Sequence, residues 1–533
     1  MNQWFNALLA GLTVAALAGC VSRKLPERST GRAPAPRMSH DQWFEAGSRR
    51  VREAVRLEPD RRPAKNIILF VGDGMSISTV TAARILEGQL RGESGEENLL
   101  SFERLPYLAL SKTYNTNQQT PDSAGTMTAM MTGVKTKAGV IGVDQYADRA
   151  DCASSKGKEL ATFLEQAEMA GLATGVVTTT RVTHATPAAT YAHVPERHWE
   201  GDNELTEEAR RKGCKDIARQ LIEFPYGDGP EVVLGGGRRY FLPEDVVDGE
   251  GDKGKRRDGR DLTREWTTRF PRAAYVWNEA QFEAAEPAEV DHLLGLFDSS
   301  HMEYEVDRPR DRAGEPGLSE MTAKAIRILR KNAQGFFLMV EGGRIDHAHH
   351  AGNAYRALTE TIEFSRAVAT AMEMIDSADT LVIVTADHSH VFTMAGYPTR
   401  GNPILGKVVG NDAAGNPATH PERAADGLPY TTLNYANGRG AHALPLGGEA
   451  VYDEPIHGGR FDSSAVNTEH QGYHQEALVP LPDETHSGED VAIYAGGPGA
   501  YLVHGVQEQN VIYHIMQWAS RMARGKISNL PLR

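Results

Sequence analysis

Seven short apolar runs recur along the chain, and they constrain the fold most because several are apolar on both faces. They are NIILFV (66–71), LALSKTY (108–114), ATGVVTT (173–179), EVVLGG (231–236), GFFLMV (335–340), TLVIVTA (380–386) and VAIYAG (491–496). A strand that is apolar on both faces belongs in a parallel sheet that is covered on both sides. Between the runs lie segments with apolar residues at helical spacing, such as LSEMTAKAIRILRKN. The alternation predicts an α/β fold, a doubly wound and mostly parallel central sheet with helices on both faces.

The composition excludes several classes of protein. With 533 residues, 40% hydrophobic and 24% charged, the chain has ordinary globular usage, so neither disorder nor a multi-span membrane protein fits. A net charge of −14 argues against a nucleic-acid-binding surface, which needs basic patches. Phosphorylated substrates stay open, because bound metal cations can invert the local field.

The N-terminus predicts export. Its first twenty residues, MNQWFNALLAGLTVAALAGC, carry no charge, and LAGC at positions 17–20 resembles a bacterial lipoprotein cleavage box. We therefore expect a signal peptide at 1–19, lipidation of Cys20, a Pro-rich tether at 20–45 and a protein anchored to a bacterial membrane, periplasmic or at the cell surface. The alternative is an ordinary signal peptide with an incidental cysteine. Residues 46–533 would form one catalytic domain, with a loop-rich insertion at about 396–485.

Two further cysteines, Cys152 and Cys214, remain in the chain. In an oxidising compartment the simplest reading is a disulfide between them. Two separate buried thiols are the alternative.

Polar residues collect where the predicted strands end. The run GFFLMV leads directly into EGGRIDHAHH, and other acids and histidines stand beside three further runs. The candidates are Asp73, Glu341, Asp346, His350, Asp387, His388 and His486. Ligands of doubly wound sheets bind at the carboxyl ends of the strands. Imidazole and carboxylate donors without thiolates suit zinc or magnesium, so the pattern predicts a metal site.

Ser123 is the candidate nucleophile. It follows a Pro-Asp turn and begins a helical pattern, so its backbone N–H and the helix dipole would face a bound anion. Coordination to a metal can activate such a serine. The alternative is that Ser123 only caps the helix.

Six motifs together resemble a known family. The strings NIILFVGDGMS, PDSAGT, VTTTRVTHATPAATYAH, FFLMVEGGRIDHAHH, VTADHSHVF and ETHSGEDVAIYAGGPGAYLVHGVQEQ look like alkaline phosphatase, particularly its animal-like branch, over roughly residues 60–520. The resemblance implies hydrolysis of phosphate monoesters at alkaline pH through a phosphoserine intermediate. It also implies a homodimer with two zinc ions and one magnesium ion per subunit.

The resemblance also implies roles for individual residues. The implied ligands are Asp346, His350 and His486 for one zinc ion; Asp73, Asp387, His388 and the Ser123 oxygen for the second; and Asp73, Thr186 and Glu341 for magnesium. Asp122, His184 and His347 would stand beside these ligands, Arg197 would clamp the phosphate, and Cys152 and Cys214 align with a family disulfide. A calcium site of animal members is mirrored only in part, by the Phe297 carbonyl, Asp298 and Glu315, which leaves calcium open.

Other functions compete with this one. A diesterase or sulfatase could share the scaffold, although a sulfatase needs a Cys or Ser in C-x-P-x-R context and Ser123 lacks it. A non-catalytic surface lipoprotein that binds phosphate or metal is the rival from another class.

Overall fold

The computed structural model describes residues 39–440, 460 and 462–522. The predicted signal peptide, Cys20 and the tether up to residue 38 lie outside the described residues. Helix α1, His40–Val55, begins inside the segment assigned to the tether, because Ser39 caps it and Gln42 closes a capping box. None of the helices in the described ranges is both long and apolar enough to cross a bilayer.

A ten-stranded sheet forms the centre of the described residues. Its strands are β1 Asn66–Gly72, β2 Tyr107–Lys112, β3 Ala173–Arg181, β4 Val232–Gly236, β5 Ala273–Val276, β6 His292–Leu296, β7 Phe336–Gly342, β8 Thr380–Ala386, β14 Val491–Gly496 and β15 Gly505–Glu508. The spatial order is β15-β2-β14-β8-β1-β7-β3-β4-β6-β5. Every neighbouring pair is parallel except the two that β14 makes, with β2 and β8. The predicted doubly wound, mostly parallel sheet is confirmed.

Fourteen α-helices accompany the sheet in the part of the chain that the structure describes. After α1 they are α2 Ile77–Leu90, α3 Ser123–Thr132, α4 Cys152–Ser155, α5 Phe163–Met169, α6 Ala185–Ala188, α7 Glu207–Arg211, α8 Ile217–Ile222, α9 Leu262–Arg269, α10 Glu279–Ala284, α11 Leu318–Leu329, α12 Arg344–His350, α13 Ala354–Met374 and α14 Val511–Ser520. Side chains of α3, α5 and α14 join the core on one face of the sheet, and those of α2, α11 and α13 join the core on the other.

The central strand β1 shows why both faces need cover. Ile67 and Leu69 enter one hydrophobic core, whereas Ile68 and Phe70 enter the other, and all four are at most 1% exposed. Successive side chains of a strand point to opposite faces of the sheet. An uninterrupted apolar run must therefore be covered on both faces.

Five short strands lie outside the main sheet. They are β9 Ser389–His390, β10 Phe392–Met394, β11 Leu433–Gly438, β12 Ala477–Pro480 and β13 His486–Ser487. Strands β10, β11 and β12 form a separate sheet, mostly within the expected insertion, and β9 pairs antiparallel with β13. Cys152 and Cys214 form a disulfide, as predicted, with their Cα atoms 5.9 Å apart.

Candidate active site

Three neighbouring strands end at the same level and bring their polar residues together. Gly72 at the end of β1 pairs with Gly342 of β7 on one side and with Ala386 of β8 on the other. Asp73 and Asp387, the next residues of β1 and β8, therefore enter the same space at the carboxyl edge. Both are fully buried.

Gly74 makes this close approach possible. Its φ is +69°, and a Cβ at this position would lie 2.3 Å from Nε2 of His390 and 3.3 Å from the Cα of Asp346. Its backbone N–H donates to Oδ1 of Asp387 over 3.0 Å. A residue with a side chain would displace the His390 ring and crowd the Asp346 backbone beside the strand ends.

Ser123 begins α3 and faces this cluster. Its Oγ lies 3.2 Å from Nε2 of His388 and 3.4 Å from Oδ1 of Asp73. Asp122 provides the N-cap by accepting from the Gly125 N–H, so the serine itself does not serve as the cap. The alternative reading of Ser123 as a helix cap is therefore wrong.

The imidazoles of His350 and His486 direct their Nε2 atoms toward one carboxylate, that of Asp346. His350 donates its Nδ1 proton to the Glu484 carbonyl over 2.6 Å, and His486 donates its own to the Pro121 carbonyl over 2.8 Å. Their Nε2 atoms lie 3.1 Å apart and 3.3 and 3.4 Å from Oδ1 of Asp346. One proton satisfies only part of this arrangement, whereas a cation satisfies both nitrogens and the carboxylate together.

His388 repeats the pattern beside Ser123. Its Nδ1 donates to the Ser389 carbonyl over 3.3 Å, and its Nε2 lies 3.3 Å from Oδ1 of Asp73 and 3.4 Å from Oδ2 of Asp387. Burial is the largest cause that holds the pKa of His388 well below its usual range. The neutral ring therefore offers a lone pair where Ser123 and two carboxylates converge.

A third group of donors lies around Glu341. The buried atoms Asp73 Oδ2, Thr186 Oγ1 and Glu341 Oε1 have no hydrogen-bond partner among the described residues. Such orphaned oxygens are rare in folded proteins, and these three belong to the residues assigned to magnesium. Donor atoms of Asp73, Glu341 and His184 lie within 4.8 Å of one another. The residues present fit a hard divalent cation here.

The carboxylates repel one another in the absence of a cation. Burial, followed by the charge of Asp387, raises the pKa of Asp73 well above its ordinary value. Burial likewise raises the pKa of Glu341 to about 7, against the lowering effect of its hydrogen bond from Thr178. Divalent cations reverse this cost by pairing with the ionised form.

Asp346, His350 and His486 are called the first metal cluster below. Sequence reasoning missed two residues beside it, His390 and Glu484. His390 binds Asp346 Oδ1 through Nε2 over 2.7 Å and Glu484 Oε2 through Nδ1 over 2.5 Å. Burial opposes its charge, but the two carboxylates outweigh burial and raise its pKa to about 10. His390 thus links two acids, and its ring also lies in the group of donors formed with Asp346, His350 and His486, whose atoms are within 4.8 Å of one another. Its place two residues after His388 was the only sequence signal.

Arg197 is held between Asp122 and His184, two residues that were expected beside the metal ligands. Its Nη1 donates to Oδ2 of Asp122 over 3.1 Å, and its Nη2 donates to Nε2 of His184 over 3.1 Å. Because Asp122 adjoins Ser123, the guanidinium is fixed next to the start of α3. Its fork geometry suits the oxygens of a phosphoryl group.

Comparisons with known proteins agree with this geometry. A family model described as alkaline phosphatase matches residues 64–522. The tissue-nonspecific alkaline phosphatase of Gallus gallus is 47% identical over 530 residues, which cover 98% of this chain and 94% of the relative. The corresponding isozyme of Homo sapiens is 45% identical over 487 residues, covering 90% and 88%.

The chain belongs to the alkaline phosphatase family.

Solved alkaline phosphatases share the fold. The structure from Thermus thermophilus has a TM-score of 0.59 at 26% identity, covering 88% of this chain and 94% of that one. The structure from the Antarctic bacterium TAB5 has a TM-score of 0.58 at 22% identity, covering 86% and 99%. The higher identity to the animal proteins confirms the predicted resemblance to the animal-like branch.

In this alkaline phosphatase, His184 and His347 form a cluster with His301, which sequence reasoning missed. The ring centroid of His347 lies 5.6 Å from that of His184 and 4.2 Å from that of His301. His301 carries no motif signal, because it follows β6 in an irregular segment. Burial, and next Arg344, hold the pKa of His347 well below its usual range, so the ring is neutral.

The calcium-like positions lie after β6. Phe297 is fully buried, and burial and nearby acids, among them Asp298, raise the pKa of Glu315 to about 8. Glu250, which sequence reasoning did not place, pairs with the buried Arg238 and lies near enough to Asp298 to interact with its charge. Within the described ranges, neither Asp298 nor Glu315 belongs to a group of three acids or histidines whose donor atoms lie within 4.8 Å.

Proposed function

We propose that this phosphomonoesterase acts at alkaline pH through a phosphoserine intermediate formed on Ser123. The observation that carries the proposal is the position of the Ser123 Oγ, 3.2 Å from the bare Nε2 of His388 and 3.4 Å from Asp73. No described residue within these contacts is a free general base, since His388 and Asp73 both belong to the group suited to a cation. A serine in such surroundings is activated by coordination.

The residues divide among three ions as follows. Asp346, His350 and His486 would hold one zinc ion. Asp73, Asp387, His388 and Ser123 would hold the second, on the contacts described above. Asp73, Glu341 and Thr186 would hold the magnesium ion, with Asp73 shared. When bound, the metal ions supply Lewis-acid chemistry, lowering the pKa of a hydroxyl and stabilising negative charge on oxygen.

The protein itself positions the phosphoryl group. Arg197 would bind two of its oxygens in fork geometry, while the N-terminus of α3 would direct its first backbone N–H groups and its helix dipole toward the anion. Asp122 keeps these two elements together, because one oxygen binds Arg197 and the other caps the helix. The arrangement stabilises charge spread over three non-bridging oxygens.

The rival diesterase function is tested by comparing matched substrates. A diester replaces one charged oxygen with an ester group, so it should lose several kcal/mol of transition-state stabilisation, on the order of 10³-fold in rate. We expect kcat/KM for an aryl phosphate monoester to exceed that for the matching diester by at least about this factor. Comparable or reversed rates would assign the protein to the diesterases.

The serine is tested in the same preparation, loaded with zinc and magnesium. Ser123→Ala should remove most monoester turnover, while Ser464→Ala, at an exposed serine, should not change it. Trapping of phosphate on the wild-type chain at low pH, and its absence from Ser123→Ala, would identify the intermediate. Full turnover by Ser123→Ala would favour the non-catalytic rival, with activity from a contaminant.

The lipid anchor and the homodimer are parts of the same proposal. LAGC and the Pro-rich segment behind it support lipidation of Cys20 and an exported, membrane-anchored protein at the periplasm or cell surface. Cys152 and Cys214 are bridged, so a fatty-acid probe should label wild type and not Cys20→Ala. Labelling of the variant would refute the anchor.

Exposed aromatic residues support the homodimer. Trp43 and Phe44 of α1 are 55% and 69% exposed, no residue of α1 is buried, and Tyr397 is 93% exposed. Exposed aromatic side chains that adjoin each other, as Trp43 and Phe44 do, mark interaction surfaces. Light scattering should give twice the chain mass for wild type and a lower mass for Trp43→Ser with Phe44→Ser. A wild-type monomer would contradict the proposal.

A calcium ion on the Phe297 carbonyl, Asp298 and Glu315 completes the proposed cofactors. The raised pKa of Glu315 supports it, because a buried acid of this kind is stabilised in its charged form by a cation. Elemental analysis should find calcium in wild type and less in Glu315→Gln, with the exposed Glu320→Gln as control. Wild type without calcium would refute it.

A further inference from the structure

Glu484 makes contact with the first metal cluster in two independent ways. Its side chain is 1% exposed and lies on the segment between β12 and β13, two residues before His486. Its carboxylate accepts from Nδ1 of His390, and its backbone carbonyl accepts from Nδ1 of His350 over 2.6 Å. Its own N–H donates to the His350 carbonyl over 3.0 Å.

The carboxylate acts on Asp346 through His390. The Glu484 Oε1 accepts from the Val391 N–H over 2.8 Å, and Oε2 binds the His390 ring over 2.5 Å, so the carboxylate has a single orientation. The other ring nitrogen then donates to Oδ1 of Asp346 over 2.7 Å. This oxygen is also the one nearest His350 and His486.

The carbonyl acts on His350 directly. Because it accepts the Nδ1 proton, it leaves Nε2 as the ring nitrogen that faces Asp346 and His486. One residue therefore fixes the orientation of a ligand carboxylate and the tautomer of a ligand imidazole.

We propose that Glu484 is the positioning residue of the first metal cluster, holding Asp346 through His390 and His350 through its own carbonyl. The inference rests on the proposed function only in requiring that this cluster binds zinc. Partners of metal ligands typically contribute 10- to 100-fold to metal affinity, so losing the carboxylate should weaken zinc binding by about that factor.

Glu484→Gln tests only the contact that the side chain makes with His390, because the backbone carbonyl that binds His350 remains. The amide has the same size but one acceptor oxygen, so it cannot accept from both His390 and Val391. The adjacent Asp483→Asn is the matched control, since Asp483 is 64% exposed and pairs with Arg439 at the surface. Zinc dissociation constants from chelator competition should rise about 10- to 100-fold for Glu484→Gln and stay unchanged for the control.

A double-mutant cycle separates positioning from general damage. If Glu484 acts through His390, zinc affinity in the double variant Glu484→Gln, His390→Gln should equal that of His390→Gln alone. The visible spectrum of the cobalt-substituted protein should also change in Glu484→Gln, because it reports the geometry of the ligands. Unchanged zinc affinity in Glu484→Gln, or losses that add in the double variant, would overturn the proposal.

Two further controls keep the test decisive. If Glu484→Gln does not fold, Glu484→Asp is used instead. It keeps the charge but shortens the side chain by one methylene, so the zinc dissociation constant should also rise. An unchanged constant in Glu484→Asp counts against the proposal. The proposed catalytic function is judged separately, by monoester turnover of wild type. Wild type that binds zinc without turnover would refute that function and leave the affinity comparison valid.

Discussion

Arg197 donates to Oδ2 of Asp122 over 3.1 Å, and Oδ1 of the same carboxylate caps the helix that Ser123 begins. The Gly139 N–H also donates to Oδ2, over 2.9 Å. The Asp122 carboxylate therefore orients both Arg197 and the helix that begins with Ser123. A substitution at position 122 can separate these two roles.

Asp122→Asn should weaken the clamp while preserving the helix. The amide oxygen can still accept from Gly125, but the amide group would present N–H donors to Arg197. Loss of a charge-assisted hydrogen bond is worth about 1.5 kcal/mol, so the inhibition constant for inorganic phosphate should rise about tenfold. Asp148→Asn, at a 75% exposed acid, is the control. An unchanged constant with intact helicity by circular dichroism would contradict this role.

His486→Ala should remove zinc without unfolding the sheet. His486 is one of several donors around Asp346 and lies on the two-residue strand β13, outside the main sheet. We expect elemental analysis to show a loss of about one zinc ion per chain and turnover to fall on the order of 100-fold or more. His504→Ala, at an exposed imidazole, should retain both. Full zinc occupancy in His486→Ala would refute the assignment.

His347→Lys should increase the affinity for phosphate and slow its release. The wild-type ring is neutral, since burial and Arg344 hold its pKa well below the usual range. A lysine would add a positive charge near the bound phosphate. An attraction of about 1.4 kcal/mol between the two would lower the inhibition constant for phosphate about tenfold. His347→Gln, which adds no charge, is the matched control. Equal inhibition constants for His347→Lys and wild type would count against the prediction.

The buried pair of His193 and Glu165 should make stability fall at alkaline pH. Their Nε2 and Oε1 lie 2.6 Å apart; burial opposes the charge on His193, but Glu165 outweighs it and raises the pKa from 6.5 to about 9. The folded state thus holds a proton that the unfolded chain releases, so this stabilisation is complete below pH 6.5 and is lost as the pH rises through about 9.

The corresponding measurement compares His193→Gln with wild type by denaturant unfolding at about pH 6 and about pH 10. The stability advantage of wild type should shrink by about 3 kcal/mol across this range. His198→Gln, at a side chain 72% exposed, should show no such change. A constant difference between His193→Gln and wild type would show that the pair does not titrate as described.

The seven apolar runs predicted the strands nearest the site. A strand buried on both faces has an uninterrupted run of apolar residues, which is easily recognised in the sequence. Strands β5, β6 and β15 were missed. AAYV and GVQE are four residues long and partly exposed, and HLLGL contains a glycine and a histidine that interrupt the pattern. Short strands take their conformation from neighbours in the sheet more than from their own side chains.

The candidate ligands could be predicted because each adjoins a strand end within a recognisable motif. Glu484 could not, since it meets His390 only through the pairing of β9 with β13, and the two residues are 94 positions apart. His301 and Glu250 likewise lie in irregular segments, where no periodic pattern shows which residues come together. Tertiary contact of this kind is set by the whole fold.

The protons on Nδ1 of His388 and His486 are held by main-chain carbonyls, those of Ser389 and Pro121. Every amino acid has such a carbonyl, so the identity of the side chain at position 121 or 389 does not decide which ring nitrogen faces the cluster. Those positions can drift during evolution without altering the tautomers, provided the backbone path is kept. Heritable loss of metal binding should therefore arise at these two sites from changes that bend the chain, more than from changes in side-chain chemistry.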